Sequence, residues 1–148
     1  MSSKQNVEYG KDYKNDKGKN KEKINETIRN TKLFQYMQLE MIEFEEDRLK
    51  GRIPFKEDVL NPFGTMHGGM LFSLADTVVG FLANSYGKLA NTTGANINYL
   101  RPAVNTEYVY CEAKILRRGD HLLVAAYEIT NDDGTLLCEG SMTYFLLG

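Results

Sequence analysis

The stretch Asn61–Gly80, NPFGTMHGGMLFSLADTVVG, sets an amide, an imidazole, two adjacent glycines and one carboxylate in a segment otherwise composed for burial. Asp76 follows Leu74 and precedes Val78 and Val79, where desolvating a charge is costly. At about 100° per residue, Leu71, Leu74, Ala75, Val78, Val79 and Leu82 form one continuous helical stripe. Asp76 lies on its flank beside Phe72 and Ala83, with Ser73 and Gly80 further round the same side. Small residues around a carboxylate let another segment approach closely, as in a cleft or a subunit seam. The alternative is that Asp76 bonds a neighbouring backbone group or pairs with an arginine.

His67-Gly68-Gly69 stands where this helix begins. The first amides of a helix have no intrahelical partners, and the macrodipole adds partial positive charge there. Glycines leave those N–H groups open to a carbonyl oxygen, the geometry of an oxyanion hole. The alternative reading of Gly68 and Gly69 is a tight loop that needs positive φ. His67 reads either as a general base or as a helix cap, and it has no orienting acid nearby in sequence. Asn61 either holds a water or carbonyl by its amide or simply turns the loop before Pro62.

The elements that must position these groups follow from periodicity. Spaced apolar residues predict a short amphipathic helix from Ile24 to Tyr36. MQLEMIEFEEDRLKGRIPF predicts a strand hairpin around a charged turn at Glu45–Arg48. A strongly apolar helix from His67 to Tyr86 ends near Gly87. Four strands follow: ANINYLRP, EYVYCEAKILRR, LLVAAYEIT and TLLCEGSMTYFLL, with RRGDH and NDDG as turns. This order means α+β, an antiparallel sheet packed around one helix.

At 148 residues there is room for one domain with a real core. Residues 1–26 carry seven lysines and five acids (+2) and little to bury, and read as a disordered Lys/Asn-rich tail; residues 27–148 form the domain, at −4. A net charge of −2 gives no case for nucleic-acid binding. No apolar run is long enough to span a bilayer, and the start does not resemble a signal peptide. Cys111 and Cys138 have no metal-type spacing, so a reducing cytoplasm is the expected location and no metal is implied.

Asn61 to Gly69, followed by Leu74-Ala75-Asp76 and then NINYLRPA, resembles the hot-dog-fold acyl-CoA thioesterases, in particular the phenylacetate-degradation (PaaI-like) type. The resemblance spans Leu33 to the C-terminus. It implies a sheet wrapped around one long central helix, and a homodimer whose sheets join edge to edge, commonly pairing again into a tetramer. It also implies active sites between subunits, the HGG end of one helix facing the partner's Asp. Carried over, Gly68 N–H polarises the thioester carbonyl and Asp76 is the nucleophile or the base that activates water. Asn61 positions water or thioester, His67 shapes the loop, and Thr92 (with Thr93 a close rival) assists from the next strand. Gly94 and Ala95 depart from the acidic or bulkier residues of many relatives, which bears on the local water network and not on the fold.

A thioester is already activated, because sulfur donates poorly into the carbonyl and leaves as thiolate. A carboxylate and an amide dipole therefore suffice, with no cofactor beyond the coenzyme A of the substrate. Direct attack by Asp76, giving an anhydride, and deprotonation of water are both open. Coenzyme A phosphates call for a basic rim, for which Arg101, Lys114, Arg117 and Arg118, with Gly119, are the candidates beside Gly69 and Phe72. Dehydratases of the same fold generally need a His–acid pair in another arrangement. A DNA-linked sensor would need a helix-turn-helix that the N-terminal region cannot supply. A non-catalytic acyl-CoA-binding protein is the remaining alternative.

Overall fold

The computed structural model describes residues 17–148. Three helices, α1 (Lys17–Asn30), α2 (Lys32–Met37) and α3 (Gly68–Ala83), accompany seven strands. These are β1 (Glu40–Phe44), β2 (Arg48–Pro54), β3 (Leu89–Ala95), β4 (Asn98–Tyr99), β5 (Tyr108–Arg118), β6 (Leu122–Thr130) and β7 (Leu136–Leu147). All pair antiparallel in one sheet of order β1-β2-β5-β6-β7-β3, with β4 also on β7. The chain thus leaves β2, near one edge, and returns as β3 at the other. The connection is α3, which lies against the inner face of the sheet. This is the α+β, hot-dog arrangement that the sequence implies.

The predicted apolar stripe is the buried one: Leu71, Leu74, Ala75, Val78, Val79 and Leu82 are all buried, and Ala83 joins them. Its five larger side chains each contribute about 1.5–3 kcal/mol of burial. Strand alternation supplies the opposing face, with Val109, Cys111 and Ala113 from β5 and Leu123, Ala125, Tyr127 and Ile129 from β6. Ile115 is only partly buried because the β5–β6 register slips between Ile115 and Arg117. Gly51 lets helix and sheet approach: a Cβ there would lie 2.7 Å from Met41 Sδ and 3.1 Å from Val78.

Two expectations are corrected. The predicted tail ran through residue 26 and the first helix from Ile24 to Tyr36. Instead α1 already begins at Lys17, and the helical run breaks at Thr31, whose backbone is extended. Ile24 is buried and Ile28 half-buried, so this pair one turn apart docks α1 and lets its polar first half propagate. Residues 1–16 lie outside the described residues. The strand expected at ANINYLRP is the second correction. Pairing begins earlier, at Leu89, and is interrupted at Asn96–Ile97 before the two-residue β4. Asn96 holds that break: its N–H donates to Ser141 O (3.1 Å) and its Nδ2 to Ser141 Oγ (3.0 Å). Its carbonyl accepts the Tyr127 hydroxyl at 2.6 Å. Six of the seven β3 residues are exposed, and its outer edge is unpaired among the described residues.

Candidate active site

Asn61 builds the loop that leads into α3. Its Oδ1 accepts Phe63 N–H (2.9 Å) and Thr65 N–H (3.2 Å), and its Nδ2 donates to Thr65 Oγ1 (2.7 Å). Gly64 takes the left-handed conformation, φ +83°. The same device closes the β6–β7 hairpin, where Asn131 Oδ1 accepts Asp133 and Thr135 N–H, each at 3.0 Å, with Gly134 at φ +77°. Both loops read Asn-x-x-Gly-Thr. Asn61 therefore turns the loop first, and one Nδ2 hydrogen is left over for anything else.

His67 is the N-cap of α3, with Nδ1 accepting Gly69 N–H at 2.9 Å. A lone pair at Nδ1 means that the proton of the neutral ring sits on Nε2, so the exposed side of the imidazole is a donor and not a base. The bond also takes the Gly69 amide, while Met70 N–H is held by His67 O (2.9 Å). Gly68 N–H, at the first position of the helix, has no acceptor among the described residues. One open amide thus remains at the positive end of the helix dipole. Beside it stands Tyr99 of β4, whose hydroxyl donates to Gly68 O at 2.8 Å.

Asp76, two turns further along, is exposed in the single chain. Even so, surrounding protein desolvates its carboxyl enough to hold it above the ordinary aspartate range. Among the described residues no hydrogen bond or ion pair serves it, so neither the backbone bond nor the arginine pair considered from sequence is present. The neighbouring helix hydroxyls are spent on their own backbone: Ser73 Oγ donates to Gly69 O (2.8 Å) and Thr77 Oγ1 to Ser73 O (2.7 Å).

Thr92 does come to the same region. It faces Tyr144 across β3 and β7, and the Tyr144 phenol is buried. Burial chiefly, with the Asp76 charge adding and hydrogen bonding by Thr92 opposing, pushes that phenol up to about 12. Its hydroxyl donates to Met142 Sδ at 3.6 Å, a weak acceptor. Thr93, the rival, spends its hydroxyl on Thr143 O (3.2 Å). Sequence reasoning gives no role to Tyr99 or Tyr144. Both sit in strands whose alternation says only which side a residue faces, and their partners arrive from α3 or a distant strand.

The expected basic rim does not gather in one chain. Arg101 lies at the end of β4 near Tyr99, with Nη1 donating to Leu136 O (2.9 Å). Arg117, Arg118 and Gly119 lie at the other end of the sheet, where Gly119 N–H donates to Leu122 O (2.8 Å). There the Arg118 guanidinium covers the Tyr86 ring at 4.0 Å, beyond the C-terminus of α3. Lys114 belongs to β5, paired with Arg48 in register. Phe72 is half-buried against the core. Among the described residues no helix is long and apolar enough to cross a membrane.

Comparison with known proteins agrees with this architecture. Residues 63–138 match the model of the thioesterase superfamily. Acyl-coenzyme A thioesterase PaaI of Escherichia coli is 36% identical over 73 residues, 49% of this chain and 52% of that protein. The structure of E. coli PaaI, from the phenylacetic acid degradation operon, superposes with a TM-score of 0.83 over 89% of this chain and 96% of that one, at 23% identity. A hypothetical thioesterase of Streptococcus pneumoniae, solved with coenzyme A, gives 0.71 at 26% identity over 74% and 86% of the two chains. With a matching family model over half its length, an antiparallel sheet around one apolar helix and an HGG turn capping that helix, the chain belongs to the thioesterase superfamily, a family of thioester hydrolases.

Proposed function

We propose that the protein hydrolyses an acyl-CoA thioester to the free acid and coenzyme A in a homodimer, with each site built from two subunits. The observation that carries this reading is the pairing, on one helix, of a Gly68 N–H and a desolvated Asp76 carboxylate that have no partners among the described residues. Eight residues separate them, about 12 Å along the axis. A base and an oxyanion donor must each come within about 3 Å of the groups they serve on one substrate. A second copy resolves this. The open edge of β3 invites antiparallel pairing with another β3, which reverses direction and sets one subunit's Gly68 end against the Asp76 side of its partner. Arg117 and Arg118 of that second copy would arrive at the same end as Arg101, within reach of the coenzyme A phosphates.

In that site Gly68 N–H and the helix dipole take up the charge that develops on the thioester oxygen. Asp76 either deprotonates a water that adds to the thioester carbonyl or adds to that carbonyl itself, Thr92 assists it, and the collapsing intermediate expels the thiolate of coenzyme A; in the second route water then cleaves the anhydride to release the acid and restore Asp76. His67 acts through the backbone as a cap, and Asn61 through the loop with its one spare amide hydrogen. No cofactor beyond the coenzyme A of the substrate is needed, and Cys111 and Cys138, both free and buried, suit a reducing compartment such as the cytoplasm.

The test is thiol release from a panel of acyl-CoAs by the protein and by Asp76→Ala, with the oligomeric state measured by sedimentation. Turnover lost in the variant while the assembly persists supports the reading. Tight coenzyme A binding without turnover in either protein would replace it with a binding role.

A further inference from the structure

The Gly68–Gly69 peptide is gripped from both sides. Its N–H donates to His67 Nδ1 at 2.9 Å, and its carbonyl accepts the Tyr99 hydroxyl at 2.8 Å. The hydroxyl end of the Tyr99 ring lies so close to the turn that a Cβ at Gly68 would stand 3.2 Å from two of its carbons. This matters because two consecutive glycines have the widest backbone freedom of any dipeptide. The adjoining His67–Gly68 peptide carries an open N–H, and nothing among the described residues bonds that group directly. Its aim depends on how firmly the next peptide is held.

Burial does not account for Tyr99. The residue is 52% exposed. The Gly68 carbonyl also belongs to the helix ladder, so it needs no second donor to be satisfied. Its partner strand is likewise unusual. Asn96, clamped to Ser141 and roofed by Tyr127, breaks the edge of the sheet so that the two-residue β4 restarts beside Cys138 and presents Tyr99 to the helix start.

We propose that Tyr99 is a positioning residue: through Gly68 O it locks the Gly68–Gly69 peptide against the His67 cap and thereby aims Gly68 N–H at the substrate oxygen. Its catalytic consequence rests on the thioesterase reading above, but the lock itself does not. A fixed donor favours charge that appears only in the transition state, so loosening it lowers kcat and leaves KM nearly unchanged.

The experiment uses the full chain, 15N-labelled, and its Tyr99→Phe variant, which keeps the ring and removes only the hydroxyl. Hydrogen exchange of the Gly69 amide is followed by NMR, and steady-state kinetics are measured on the best acyl-CoA of the panel. We expect Gly69 exchange to quicken about fivefold or more while core amides are unchanged. We expect kcat to fall about tenfold with KM within about twofold. Unchanged Gly69 exchange overturns the lock. Faster exchange with unchanged kcat overturns the positioning role. If the wild-type protein turns over no acyl-CoA, the thioesterase reading fails, and Gly69 exchange alone still decides for or against the lock.

Discussion

Replacing His67 separates a cap from a base. The imidazole satisfies one of the orphan amides at the start of α3 through a 2.9 Å bond from Gly69 N–H. Losing an N-cap acceptor costs about 1 kcal/mol, and for a domain of this size that lowers Tm by roughly 3–6 °C. His67→Ala should show that loss, measured by thermal unfolding. It should also show roughly tenfold lower kcat, because the freed Gly69 amide loosens the turn that aims Gly68. His67→Asn should restore both, since asparagine is among the best N-cap residues and its Oδ1 accepts the same amide. A general base cannot be rescued in this way, and its removal costs about 10²–10⁴-fold. An asparagine variant with wild-type Tm and more than about a hundredfold loss of kcat would show that the imidazole does more than cap and would refute a purely positional role.

The remaining predictions concern the carboxylate, the loop and the kinked edge. Burial raises the pKa of Asp76, so the folded state binds its proton more tightly than the unfolded chain does. Stability from this group therefore falls as pH rises from the ordinary aspartate value through the raised one. Asp76→Asn should melt at or above the wild-type temperature at neutral pH, the difference vanishing in acid, while turnover drops about 10²–10⁴-fold. The acid limb of the wild-type rate profile should lie above the ordinary carboxylate range. Asn61→Asp keeps the acceptor that turns the loop and loses the amide donor. Near-wild-type Tm with about tenfold or greater loss of kcat would show that the spare Nδ2–H is used, whereas unchanged kcat would confine Asn61 to the turn. At Gly140 a Cβ would overlap the Asn96 carbonyl oxygen and stand 2.6 Å from the Tyr127 hydroxyl. Gly140→Ala should cost about 1–3 kcal/mol or more in denaturant unfolding, as in other overpacked cores.

Much of the fold is legible in the chain because it depends on periodicity. The stripe from Leu71 to Leu82 and the alternation of β5 through β7 name their own buried faces, and Gly87 and Gly134 sit at positive φ where the turns were expected. The start of α1 and the break in the edge strand are different. Docking of Ile24 and Ile28 outweighs the polar composition of α1. Asn96 is held by Ser141 and Tyr127, which arrive from β7 and β6 and leave no local signature.

The site divides along the same line. The residue types of the HGG turn, the lone Asp76 and the small residues around it are in the sequence; they suggest an oxyanion donor and a carboxylate, and their resemblance to acyl-CoA thioesterases is what implies thioester chemistry. Which atoms are free is a tertiary matter. His67 faces Gly69 with an acceptor, Asn61 closes its own loop, and Arg101 lies far from Arg117 and Arg118. Gly68 N–H is left without an acceptor among the described residues, and Tyr99 reaches the Gly68 carbonyl from a strand that restarts after the break at Asn96. Hydrogen bonds between distant segments are decided by where the backbone places donor and acceptor within about 3 Å. Sequence periodicity fixes the face of an element and is silent about that distance.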